Sequence, residues 1–150
     1  MNILLTAAIL TAFTVPDMDT DFKSYMDYRC ITDTHSRQYR LQQAAETDEN
    51  GLRVYKNRYM VAVGTYYGEV GDNLVVTLDT GVTFDAVIGD IKADCTTDKT
   101  HRYHPMRDGN GNVVEFIVDT RELPKAVRWS GTVSSIEEFE GNIEKIERAD

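Results

Sequence analysis

Apolar residues recur with a period of two in three stretches of the chain. In Asn73–Asp79, Leu74, Val76 and Leu78 mark the buried face of a β-strand. The turn Asp79-Thr80-Gly81 and the run VTFDAVIGD, which ends at Asp90, complete an antiparallel hairpin. Upstream, after a turn that stops at Gly51, Tyr59, Val61 and Val63 alternate with Met60 and Ala62 in a core strand. Downstream, Val114, Phe116 and Val118 share one face of a strand, which puts Glu115 and Asp119 together on the other. Helical spacing is weaker: Tyr39, Leu41, Gln42 and Ala45 predict one short helix within Thr34–Ala45. Phe22–Ile31 is too irregular for a strict period of two and reads as a short strand or an extended arm. The segment AVRWSGTVSSIEEFEGNIEKIERAD predicts two further β-rich pieces, broken at Gly131 and Gly141. About six short strands and one or two short helices point to a mainly β fold, a small β-barrel.

The ends of the chain divide it into three parts. Residues 1–15, MNILLTAAILTAFTV, are apolar, but they lack the Lys or Arg of a secretion signal near Met1. They are also shorter than the roughly 20 residues of a membrane helix. They read either as an export remnant or as an N-terminal helix packed on the domain or on a partner, and no stable membrane span is expected. Pro16 and the acidic run DMDTD then set a boundary near residue 20. The expected organisation is an apolar segment with its linker (1–20), an N-terminal extension carrying the helix (21–57) and a barrel domain (58–150). Residues 1–31 offer a surface for an assembly partner.

Composition narrows the function classes. A chain of 150 residues fits one domain, and 41% hydrophobic with 27% charged residues suits a globular one. A formal charge of −9 argues against a nucleic-acid partner, because phosphate binding needs a Lys/Arg excess along some face. Cys30 and Cys95 show no metal spacing; two free thiols are expected, or one bridge in an exported protein.

The candidate chemistry lies between Phe84 and Asp119. Glu115 and Asp119 point the same way, and Asp90 joins them if the two strands are neighbours. The loop between these strands carries Asp94, Asp98, His101 and His104, but the HRYH spacing lacks the fixed helical geometry of zinc pairs and no metal site is expected. Lys99, Arg102 and Arg107 make the same loop locally basic, suited to ligand carboxylates. Tyr66, Tyr67 and Tyr103 are candidates for stacking on sugar rings, while Trp129 divides evenly between stacking and core packing. Tyr59 and Phe139 are assigned to packing.

Taken together, YMVAVGTYYG, VGDNLVVTLDTGVTFDAVIGDIK and NVVEFIVDT resemble the double-psi β-barrel of the three-aspartate (3D) cell-wall domain. That domain is also found in membrane-bound lytic transglycosylase A, and rare lipoprotein A and expansins have related barrels. Asp90 with Lys92 matches the first part of the family pattern, Glu115 and Asp119 fall at its second and third acids, and Thr65–Gly68 resembles the aromatic-glycine opening. The resemblance spans residues 58–146. It departs at Glu115, which stands where the family has Asp, and in a longer loop between the first two acids.

The resemblance implies a six-stranded double-psi barrel whose groove receives glycan strands of peptidoglycan and cleaves them without a cofactor. Glycosidic cleavage needs a protonated acid at the bridging oxygen, and crowded carboxylates favour one. In a lytic transglycosylase the same group then acts as base on the sugar's own 6-hydroxyl, whereas a hydrolase needs a second carboxylate. Glu115 is the expected acid/base, with Asp90 and Asp119 orienting it. Tyr66, Tyr67, Lys92, Asp98, His101, Arg102, Tyr103 and His104 are the expected substrate contacts. Such a domain belongs in a secreted or wall-associated protein or a phage virion. A reading from another class is a non-catalytic module that binds wall glycan or builds a phage tail or secreted assembly. Glu115 and Asp90 converging in an open groove would favour the enzyme; acids satisfied by backbone amides or facing apart would favour the module.

Overall fold

In the computed structural model, which describes residues 9–150, the period-two stretches become strands of one mixed sheet. The strands are β1 (Leu10–Phe13), β2 (Tyr25–Asp27), β3 (Glu46–Thr47), β4 (Arg53–Tyr55), β5 (Arg58–Val63) and β6 (Asn73–Leu78). They continue with β7 (Thr83–Ile91), β8 (His104–Pro105), β9 (Gly111–Asn112), β10 (Glu115–Val118) and β11 (Ile143–Ala149). The two α-helices are α1 (Arg37–Ala44) and α2 (Lys125–Ser130). The sheet runs β1-β11-β6-β7-β5-β10-β2, with β3 and β4 attached beside β5, while β8 and β9 form a separate ribbon. The pairs β5–β7 and β10–β2 are parallel and the other neighbours on that path antiparallel. The protein is therefore mainly β, built on one large mixed sheet. Among the described residues the path ends at β1 and β2 without a hydrogen-bonded closure.

Alternation explains which faces are buried. Leu74, Val76 and Leu78 of β6, Phe84, Ala86 and Ile88 of β7, Val61 and Val63 of β5, and Phe116 and Val118 of β10 enter one core. Its centre is aromatic: Phe139 meets Tyr59, Phe84 and Phe116 edge-on at 5.1, 5.3 and 5.0 Å between ring centroids. The opposite face presents Met60, Val87 and Ile117, which Leu41 and Ala45 cover from the α1 side. The β6–β7 hairpin turns at Gly81, whose φ of 89° suits a residue without a Cβ, and closes with a 2.8 Å bond from Leu78 N–H to the Val82 carbonyl. In β7 the register slips beside Ala62, so that Gly89 is an extra residue. A Cβ there would lie 2.7 Å from Ile117 Cδ1.

The N-terminal arm shares the main sheet. β2 pairs with β10, and the fully buried Lys23 beside it donates from Nζ to the carbonyls of Asp21 and Gly141 and to Ser134 Oγ, at 3.0, 2.6 and 2.9 Å. Of the apolar segment 1–15, residues 1–8 lie outside the described part. Residues 10–13 form a strand against β11 instead of the helix that was one of the two expectations. No helix among the described residues is long and apolar enough to cross a membrane.

One other expectation is corrected. The piece starting at Ala126 is helical: Pro124 precedes α2 and Gly131 ends it in the left-handed region at φ 77°. Only Val127 of that helix is buried, so its β-branched side chain satisfies the core without a strand. The stretch after it forms 3-10 turns, leaving β11 as the one strand of the C-terminal region. α1 falls within Thr34–Ala45 as expected, and Ser36 Oγ, accepting from Tyr39 N–H at 3.1 Å, caps its first turn. Cys30 and Cys95 are free, exposed thiols.

Candidate functional site

β10 begins at Glu115, and the same strand start faces an open cleft of about 440 Å³. Phe22, Ser24, Lys92, Thr96, His104, Met106, Asn112 and Glu115 line it, and Glu115 alone among them is acidic. The arm before β2 brings Ser24, the end of β7 brings Lys92, and the ribbon β8–β9 brings His104 and Asn112. Parallel pairing of β2 with β10 lays Ser24 against Glu115: the Phe116 N–H donates to the Ser24 carbonyl at 2.9 Å.

The polar groups here form an ordered chain. Asn112 is buried, and its Nδ2 donates to Ser24 Oγ at 2.7 Å while its Oδ1 accepts from Ser24 N–H at 3.4 Å. With one lone pair of Oγ engaged, the Ser24 hydroxyl donates to Glu115 Oε2 at 2.6 Å. Oε2 is thereby an acceptor, and Oε1 has no hydrogen-bond partner among the described residues. Burial lowers the Lys92 ammonium pKa, and the negative charge of Glu115 partly opposes the shift. His104 Nδ1 lies 2.6 Å from the Thr96 carbonyl, which only accepts, so that nitrogen carries the proton.

The three acids expected to gather at one mouth occupy three environments. β5 lies between β7 and β10, so their strands are not neighbours. The register places Asp90 and Glu115 opposite Ala62 on either side, about 10 Å apart along two strand spacings. Asp90 Oδ1 accepts from Ile91 N–H at 2.9 Å and faces Gln38 Nε2 of α1 at 3.5 Å. Asp119, just past the other end of β10, accepts from Arg29 Nη2 at 2.9 Å and from Arg121 N–H at 3.1 Å. The hydrogen bond from Arg29 outweighs desolvation and lowers the Asp119 pKa, keeping that carboxylate ionised. The pleat alternates, since Phe116 and Val118 enter one core and Ile117 the other, but the two acids stand at opposite ends of the strand with three residues between them.

The loop residues divide between the cleft and the support of their own turn. Lys92 and His104 line the cleft. Asp98 organises the turn: Oδ1 accepts from Arg102 and Tyr103 N–H at 2.8 and 3.1 Å, and Oδ2 from the Thr100 amide and hydroxyl. His101 Nδ1 meets Thr97 Oγ1 at 3.0 Å, and Arg102 reaches the Thr14 carbonyl at 3.2 Å. Tyr103 packs against the core. Tyr67 is fully buried and closed to a sugar, which corrects its assignment, whereas Tyr66 is 40% exposed and packs edge-on against Phe13. Trp129 is 90% exposed, so its packing alternative falls away. Among the described residues no group of three or more His, Cys, Asp and Glu side chains is gathered for a metal.

Phe22, Ser24, Thr96, Met106 and Asn112 line the cleft without having been marked in the sequence. Ser24 belongs to the irregular arm Phe22–Ile31, and Asn112 to the polar loop between the two predicted strands. A second cleft of about 300 Å³, bounded by Tyr28, Arg29, Tyr39 and Gln42 among others, has no carboxylate in its lining. Comparisons with models of protein families, with curated proteins and with solved structures return no match.

Proposed function

We propose that the chain is a peptidoglycan-acting domain of the double-psi barrel type, secreted, wall-associated or carried on a phage virion, in which Glu115 cleaves glycan strands as a lone acid/base. The observation that carries this reading is that Glu115 is the single acid lining an open cleft, held through Oε2 by Ser24 with Oε1 unpartnered among the described residues. One carboxylate suits a lytic transglycosylase, where the same group protonates the bridging oxygen and then accepts the 6-hydroxyl proton. Hydrolysis would call for a second carboxylate in the cleft, and Asp90 and Asp119 are engaged elsewhere. Phe22 and Met106 supply apolar surface for a pyranose face, and Ser24, Asn112 and His104 supply polar contacts.

A second reading, a non-catalytic wall-glycan module, is favoured because the acids do not converge: Asp90 is satisfied by a backbone amide and faces α1, and Asp119 is held by Arg29 and a backbone amide. Chromatography of the products released from purified peptidoglycan tests the proposal. Anhydro-muropeptides support the transglycosylase, and binding without release supports the module.

A further inference from the structure

We propose that Lys92 makes the cleft wall beside Glu115 a carboxylate-binding subsite, so that the cleft selects an acidic saccharide, bearing a lactyl or peptide-stem carboxylate, over its neutral counterpart. This rests on the glycan reading above and names the ligand class more closely.

The backbone of Lys92 is fixed to the sheet, its N–H donating to the Val63 carbonyl at 2.9 Å at the end of the β5–β7 pair. The side chain lines the cleft and is half-buried, and its ammonium has no hydrogen-bond or ion-pair partner among the described residues. Glu115 is close enough to act on it through charge, yet no ion pair joins the two, and Oε2 of Glu115 is taken by Ser24. A half-buried ammonium that no protein group pairs keeps its donors for what enters the cleft, and an incoming carboxylate meets it in a partly desolvated setting where the pair is stronger than at an exposed lysine. His104 in the same lining has its protonated Nδ1 committed to Thr96, so its Nε2 presents a lone pair that can accept from a sugar hydroxyl, and the carboxylate falls to Lys92.

Other cations of the region are less suited. Arg102 is held by Thr100 Oγ1 and the Thr14 carbonyl, and Lys99 and Arg107 are exposed and do not line the cleft. On a chain of net charge −9, long-range attraction does not favour an anionic sugar, so the preference must come from local contact with Lys92.

Titration calorimetry of the full chain with two probes at one pH and ionic strength tests this. The probes are the disaccharide of N-acetylglucosamine and N-acetylmuramic acid, and chitobiose, which lacks the carboxylate. The wild type is expected to bind the acidic disaccharide about tenfold or more tighter, the range of a charge-assisted hydrogen bond. Lys92→Gln is expected to remove that preference, bringing the two probes to equal affinity. Equal binding of both probes by the wild type overturns the subsite and leaves the glycan reading standing; binding of neither overturns both. An undiminished preference in Lys92→Gln also overturns the subsite. The wild-type comparison decides even if the variant fails to fold.

Discussion

Ser24 and Glu115, 91 positions apart in the chain, are joined by a 2.6 Å hydrogen bond from the serine hydroxyl to Oε2. The bond has a direction because Asn112 Nδ2 donates to the same Oγ at 2.7 Å, leaving the hydroxyl proton for the glutamate. The N-terminal arm thus contributes to the cleft through a parallel strand pair, and the orientation of the candidate acid/base depends on it.

Ser24→Ala is expected to keep the fold, at a cost on the order of 1 kcal/mol for the lost hydrogen bonds. Turnover of glycan should fall about ten- to a hundredfold with a smaller change in KM, because the carboxylate is misplaced while the cleft remains. Steady-state kinetics with a urea melt on the same variant checks this. An equal fall in Ser24→Ala and Ser24→Thr would mean that the hydroxyl is irrelevant.

Asp98 provides a pH signature for the loop. Burial pushes its carboxyl up, but the hydrogen bonds from Thr100, Arg102 and Tyr103 outweigh burial and bring its pKa to about 2 against an ordinary 3.8. A depressed folded-state pKa stabilises above the unfolded value, so the turn's support is full above about pH 4 and is lost as pH falls toward 2. Amide resonances of Thr100, Arg102 and Tyr103 should therefore titrate together with a midpoint near 2. A midpoint near 4 would show that those bonds do not form.

Lys23 gives a slope of the same sign in a higher pH window, for the opposite cause. Burial lowers its ammonium pKa to about 8 from an ordinary 10.5, with Asp21, Asp79 and Asp19 opposing in part. Between those values the unfolded chain binds more protons, so this group favours folding increasingly as pH rises through the window. The difference in urea stability between the wild type and Lys23→Met should shift toward the wild type from pH 7.5 to 10. A difference that stays flat with pH would assign Lys23 an unshifted proton affinity.

Gly64 closes the loop onto the sheet. A Cβ at that position would lie 1.9 Å from the His101 carbonyl oxygen and 2.8 Å from its carbon, both backbone atoms with little freedom to move. Gly64→Ala is expected to cost on the order of 1–3 kcal/mol and to displace residues 98–103. A thermal melt and the loop's amide spectrum report it, and an unshifted spectrum would show that the close approach is absent in solution.

Much of the sheet was legible in the chain, because Leu74-Val76-Leu78 and Val114-Phe116-Val118 can bury an apolar face only as strands. The turn at Gly81 was legible for a similar reason, since a left-handed residue was needed there. What escaped was set by pairing between distant segments. Val127 and Val133 give the C-terminal region a β-rich look, yet one buried residue per turn meets their need, and Pro124 and Gly131 bound a helix. In the site, the pleat located Glu115 and Asp119 on one strand face, but nothing local revealed that β5 would separate Asp90 from Glu115. Nor did anything local reveal that Arg29 would claim Asp119. Ser24 and Asn112 reach the cleft through parallel pairing of β2 and through the short ribbon β8–β9, neither of which leaves a periodic signature.

The most direct measurement of the central claim is the release of soluble products from purified peptidoglycan by the wild type and by Glu115→Gln, followed by mass spectrometry. The account predicts anhydro-muropeptides from the wild type and at least a hundredfold less from the variant, with an unchanged melting curve. Equal release by the Gln variant, or reducing-end products without the anhydro form, would contradict Glu115 as a lone acid/base.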